Sequence, residues 1–265
     1  MKKIYLILFV LLTACTTQQT ITTNTPQSKL IVDGKLYTSA FQQQGAEYKA
    51  LCLQAYNIAR WRLDEAFQQP SSKPRAIISD IDETILDNSP YAVKRALDNK
   101  SYDQLSWSDW TGRGIGDTLA GSLSFFKYAA SKNVEVYYIS NRLEEERAGT
   151  LKNLQRYGFP FADNDHLLLR ETTSSKEIRR QKVAADYEIV LLLGDNLADF
   201  SQLFDKKSTA ERNNAAIQST SDFGKKFIVL PNPNYGDWEG AMYDYQYGKT
   251  PAQKDSAIKA NLQGY

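Results

Sequence analysis

The stretch RAIISDIDETILDNSPY, residues 75–91, decides how this chain is read. An apolar run, Ala76 to Ile78, closes on Ser79 and passes at once into Asp80, Asp82 and Glu83, with Thr84 behind them. Carboxylates crowded at the end of a strand repel one another unless positive charge sits among them. Either a cation binds there or the cluster is a solvated turn.

Working outward, residues 134–139, 167–169, 189–193 and 226–230 are further short apolar runs. Segments of helical length, residues 120–130, 144–157 and 175–186, separate them. Continuous rather than alternating hydrophobicity belongs to strands covered on both faces. The repetition therefore predicts an α/β fold with a doubly wound parallel sheet, whose ligands bind beyond the carboxyl ends of the strands. Polar clusters follow the runs: Ser140-Asn141-Arg142 after the second, and Gly194-Asp195 with Asp199 after residues 189–193. Ser174-Ser175-Lys176 opens a helix between them. All four clusters converge on one edge. Upstream, apolar and aromatic residues at helical spacing predict one long helix over residues 40–67, ending near Gln69-Pro70 and forming part of a cap.

With 265 residues, 42% hydrophobic, the chain can bury one sizeable core. A net charge of +1 gives no bulk attraction to a nucleic-acid polymer or to acidic lipid, so any anion site must be local. One histidine, His166, argues against a His-rich zinc centre or a Ser-His-Asp triad, and reads as a polar residue of a loop or strand edge.

The amino terminus carries a processing signal. Lys2 and Lys3 precede an apolar segment, residues 4–12, too short to span a bilayer, and Leu12-Thr13-Ala14-Cys15 follows. This resembles a bacterial lipobox, which implies cleavage before Cys15, lipidation of that residue and a membrane-tethered chain. Thr16 in place of Asp points to the outer membrane of the cell envelope. The division expected is a signal peptide over residues 1–14, a Thr- and Gln-rich tether over 15–28 and a folded domain over 29–265. A lipidated Cys15 leaves Cys52 without a disulfide partner, so the core must supply stability.

Carboxylates on one rim, with neither imidazole nor thiolate, suit a hard octahedral cation such as magnesium. Metal and Lys176 could neutralise a phosphate while Ser140 and Asn141 donate hydrogen bonds to it. One carboxylate could then attack phosphorus, and a neighbour two residues on could protonate the leaving oxygen.

This ordered set resembles the four-part pattern of the haloacid dehalogenase (HAD) superfamily. SDIDETILDNSPY, SNR, SSKEIRR, GDNLADF and LPNPNYGDWEGAMY, behind a lipobox, resemble the class C acid phosphatases, the bacterial 5′-nucleotidase lipoproteins, over residues 40–265. The resemblance implies a HAD-like core with a mainly helical cap built from N-terminal and inserted segments. It implies Asp80 as the nucleophile that forms an aspartyl-phosphate, and Asp82 as acid and base with its backbone carbonyl on the metal. Asp195 would be the third magnesium ligand beside Asp80 and Asp82, and Asp199 would hold a metal-bound water or orient Lys176. Thr84, Ser140, Asn141 and Lys176 would complete the phosphate pocket. The sequence departs from the pattern in two places, Leu119-Ala120-Gly121 where Pro-Gly is expected and Ala198-Asp199 where relatives often carry Asp-Asp, and neither change replaces a catalytic residue.

Trp107, Trp110, Tyr235 and Trp238 lie in polar segments read as loops. They either sandwich a planar base or plug the space between cap and core, and Trp110 with Tyr235 is the preferred stacking pair. The expected activity is hydrolysis of small phosphomonoesters, nucleoside monophosphates foremost, with a homodimer as the candidate assembly. A phosphatase without base preference, or a catalytically silent surface-binding lipoprotein, are the alternatives.

Overall fold

The computed structural model describes residues 29–265, so the signal peptide, Cys15 and the tether lie outside the described residues. The segment predicted as one helix forms two, α1 (Leu30–Gln44) and α2 (Ala46–Ala66). Gly45 parts them with extended backbone, φ −72° and ψ 118°. A Cβ at Gly45 would stand 2.6 Å from the Phe41 carbonyl oxygen, so the break is written into a missing side chain. Apolar spacing runs through the bend undisturbed, and a count of periodicity cannot see it. The helices bury different chemistry: α2 buries Tyr48, Cys52, Tyr56, Ala59 and Leu63, and α1 only Ser39 and Gln42.

After β1 (Arg75–Ser79) the chain turns through β2 (Leu86–Asp87) into an insertion holding α3 (Ser89–Leu97) and α4 (Gln104–Arg113). It returns along β3 (Asp117–Thr118), antiparallel to β2. Trp107 and Trp110, read as loop residues, therefore sit on a helix. The Asp103 side chain caps α4 by accepting from the Ser106 N–H, and packing against a later helix outweighs its polar composition. Next come α5 (Ser122–Ser131), β4 (Glu135–Leu143), α6 (Arg147–Tyr157), β5 (Leu167–Arg170), α7 (Glu177–Asp186) and β6 (Glu188–Gly194). The chain closes with α8 (Thr209–Gln218), β7 (Phe227–Val229), α9 (Asp237–Met242) and α10 (Pro251–Ala260).

The main sheet has the order β5-β4-β1-β6-β7, and every neighbouring pair is parallel. As predicted, both faces are covered. Ile77, Val136, Leu191 and Ile228 point into a large core shared with α2 and α5. Their neighbours Ala76, Ile78, Ile139 and Leu192 enter a smaller core with Val183 and Phe200. The chain leaves β1 toward β4 and β5, then crosses back to β6 and β7. The reversal opens a crevice between the carboxyl ends of β1 and β6, where Asp80 and Asp195 follow their strands. The insertion stands beside this rim, with α1 packed on α3.

Candidate active site

Asp80 is the first residue beyond β1, and its backbone N–H is anchored to the Leu193 carbonyl at 2.9 Å. Its carboxylate meets Lys176, the residue that caps α7, and the same ammonium lies 2.7 Å from Asp199. Asp195 stands beside them: ligand oxygens of Asp80, Asp195 and Asp199 all fall within 4.8 Å of one another. Burial and the nearby carboxylates raise the Asp80 carboxyl to about 7 even though Lys176 opposes the shift. Asp195 is pushed well above the usual range by burial and then by Asp199 and Asp80. Burial pulls Lys176 down, but the two carboxylates outweigh it and raise its pKa. Such a cluster holds more negative charge than one ammonium can balance. Three convergent oxygen donors fit a hard divalent cation held by Asp80, Asp195 and Asp199.

The supporting bonds are specific. Thr84, assigned to the phosphate pocket by the resemblance, donates from Oγ1 to Asp195 Oδ1 at 3.3 Å, and Asn232 donates to Oδ2 at 2.7 Å. Asp199 also accepts the Asn196 N–H at 2.9 Å, which folds the turn after β6 back onto Gly194. A Cβ at Gly194 would lie 2.4 Å from Asp199 Oδ2, so this close approach needs glycine.

The Asp82 carboxylate stands apart from the acidic trio. Arg142 grips it with Nη2 at 2.7 Å and Nε at 3.1 Å, and Asn88 donates at 2.9 Å. Arg142 is buried and further fixed by Thr150 Oγ1 at 2.9 Å. Ser140 is buried with its hydroxyl 3.5 Å from Asp82, whereas Asn141 is exposed and turns its Oδ1 to Arg179 at 2.7 Å. Arg142, Arg179, Asn88, Asn232 and Glu83 carry no site role in the sequence expectations, although Glu83 stands in the carboxylate cluster of residues 75–91 and Arg142 in the polar cluster after the second apolar run. Arg142 and Arg179 do stand within the motifs SNR and SSKEIRR, but nothing local marks them as site residues.

Trp110 and Tyr235 come to the same loop by different routes. The Trp110 indole donates to Asn88 Oδ1 at 2.8 Å, and the Tyr235 hydroxyl donates to buried Glu83. Burial raises Glu83 to about 8 and lifts Tyr235 well above the ordinary phenol value. Trp107 is a plug, buried edge-on against Tyr91 at 5.1 Å. Trp238 is exposed, its indole on the Tyr235 carbonyl at 3.2 Å. His166 lies at the opposite end of the sheet, just before β5, between Asp163 at 2.7 Å and Glu135 at 3.2 Å.

A parallel sheet with an acidic trio and a buried lysine at its central strand ends defines a HAD-type site. The family model of the HAD superfamily, subfamily IIIB (Acid phosphatase), matches residues 7–238, and the chain belongs to that family. Among solved structures, the class C acid phosphatase from Bacillus anthracis is similar, with 43% identity and a TM-score of 0.86 over 89% of this chain and 99% of that one. The same Bacillus anthracis enzyme with tungstate bound gives 43% identity and 0.86 over 88% and 98%. Acid phosphatase 1 of Solanum lycopersicum is 29% identical over 130 residues, 46% of this chain and 50% of that protein. The chain spans about half the length of the curated relatives it matches.

Proposed function

We propose that this chain is a magnesium-dependent acid phosphatase that hydrolyses small phosphomonoesters, nucleoside 5′-monophosphates foremost. The observation that carries the reading is the buried group formed by Asp80, Lys176, Asp199 and Asp195. The tungstate found in the Bacillus anthracis relative, a tetrahedral oxyanion like phosphate, supports it. Magnesium held by Asp80, Asp195 and Asp199, with the Asp82 backbone carbonyl, would neutralise phosphate oxygens.

In the first half-reaction an Asp80 carboxylate oxygen attacks phosphorus and the ester P–O bond breaks. Protonated Asp82 gives its proton to the leaving alkoxide, yielding the alcohol and an aspartyl-phosphate. In the second, Asp82 takes a proton from water as it attacks phosphorus, the acyl-phosphate bond breaks, and Asp80 returns as carboxylate with phosphate released. Lys176, Ser140 and Asn141 hold the phosphoryl oxygens, Asp199 aims Lys176, and Thr84 orients Asp195 while bordering the phosphate pocket.

Trp110 and Tyr235 flank the loop as a base clamp, worth about 1 to 3 kcal/mol per stacked ring. The lipobox ending at Cys15, with Thr16 behind it, supports a lipid anchor on the outer membrane for this activity. Nucleotides cross the inner membrane poorly; the nucleosides released there cross more readily.

The test compares AMP with glycerol phosphate, which has no ring to stack, in wild type, Trp110→Ala and Tyr235→Ala. Either variant should lose roughly 5- to 150-fold in kcat/KM for AMP and much less for glycerol phosphate. An unchanged ratio removes the nucleotide preference and leaves the phosphatase. Chelator should abolish both activities and magnesium restore them; turnover that survives exhaustive chelation removes the metal.

A further inference from the structure

Arg179 has no part in the scheme above, yet one guanidinium joins two of its loops. From the first turn of α7, Nη1 donates to the Ser140 carbonyl at 2.6 Å. Nη2 donates to Asn141 Oδ1 at 2.7 Å and to the Ser175 carbonyl at 3.1 Å. One acceptor thus belongs to the peptide between Ser140 and Asn141, and another to the residue immediately before Lys176.

The Ser140 carbonyl and the Asn141 N–H belong to one planar peptide unit. No peptide bond among the described residues is cis, so the two groups point in opposite directions. Drawing the carbonyl toward α7 turns the N–H away from α7. The Ser140 hydroxyl lies on the catalytic side, 3.5 Å from Asp82. Sheet pairing does not claim this peptide: the register of β4 with β1 ends at Tyr138, and that with β5 breaks between Ile139 and Leu143. The backbone here is therefore free to be set by a side chain.

We propose that Arg179 is a positioning residue that aims the Asn141 backbone N–H at the phosphoryl oxygens and holds that donor at a set distance from Lys176. The inference rests on the phosphatase reading of the pocket. A fixed donor needs no reorganisation as charge develops on phosphorus, which is where oxyanion-type stabilisation gains its strength. The planar fork matters more than its charge, because one ammonium cannot hold three separated carbonyl-type acceptors in a single geometry.

Wild-type turnover of glycerol phosphate with magnesium, and its competitive inhibition by tungstate, test the underlying reading first. Inhibition constants for tungstate and inorganic phosphate are then measured for Arg179→Lys, Arg179→Gln and Arg179→Ala, with kcat, KM and melting temperature. Both Arg179→Lys and Arg179→Gln should weaken oxyanion binding by on the order of 10-fold and lower kcat by about 10- to 100-fold. Guanidinium ion should restore part of the kcat of Arg179→Ala and none of that of Arg179→Lys, whose side chain fills the space. Wild-type inhibition constants and kcat in Arg179→Lys would show that charge alone suffices and overturn the proposal. So would a lowered melting temperature with unchanged inhibition constants in any variant. If Arg179→Ala does not fold, the lysine variant decides.

Discussion

Asp80 and Asp82 are two residues apart and live in unlike surroundings. Asp80 is buried against an ammonium and two more carboxylates, whereas Asp82 is held by a guanidinium and an amide. On the proposed mechanism Asp80 attacks phosphorus and Asp82 carries the protons. Asp80→Asn removes the proposed nucleophile and should lose nearly all turnover. Its melting temperature should hold or rise, because one source of repulsion on Asp195 disappears. Asp82→Asn should lose about 10²- to 10⁴-fold with a poor leaving group such as glycerol, and less with nitrophenol, which departs without a proton. Rates across a leaving-group series check this, and equal losses for all leaving groups would remove Asp82 from proton transfer.

At the scale of elements, the site is set by where strands stop. β6 ends on Gly194, and the turn behind it folds Asp199 onto the glycine so that Asp199 can reach Lys176 at 2.7 Å. Gly194→Ala would place a Cβ 2.5 Å from the Asp199 Cβ, a contact that the buried turn cannot absorb without moving. Displacement of about 1 Å in a catalytic group can cost on the order of 100-fold, and overpacking costs typically about 1 to 3 kcal/mol. Gly194→Ala should therefore lower kcat by about 10- to 100-fold with a modest fall in melting temperature. Unaltered kinetics would show that the turn has slack and that Asp199 does not set Lys176.

Across the whole molecule, stability and chemistry are separable because they occupy different layers. Cys52 is a buried free thiol, and packing on the two faces of the sheet holds the described residues together. Phe126 is fully buried among Tyr56, Phe125, Tyr138 and Phe159, with ring centroids 5.1 to 6.2 Å away. Phe126→Ala should cost about 3 to 5 kcal/mol, which for a chain of this size lowers the melting temperature by about 6 to 20 °C. At 20 °C its kcat should stay near wild type, since this cluster meets the rim through the Tyr56 hydroxyl, which donates to the Thr84 carbonyl at 2.5 Å, and not through Phe126 itself. A parallel collapse of kcat would mean that the core and the rim are mechanically coupled. Calorimetry beside a rate assay distinguishes the two.

What the residues announced on their own was local. Apolar runs of strand length and the polar residue that follows each one are neighbours along the chain, so Asp80, Ser140, Lys176 and Asp195 could be placed on one rim of a parallel sheet from the sequence alone. Gly45 divides a helix whose apolar spacing continues across it, and the polar Trp107–Trp110 segment became helical through its cap and its packing. Partnership between distant residues was decided only by the fold. Arg142 grips Asp82 from sixty positions away because β4 lies beside β1, and Asp199 joins the acidic trio because the turn after β6 doubles back. Arg179 reaches Ser140 because α7 packs against β4. Hydrophobic period reports which face a residue buries; it carries no record of which strand lies alongside, and the hydrogen bonds that orient this site cross from strand to strand.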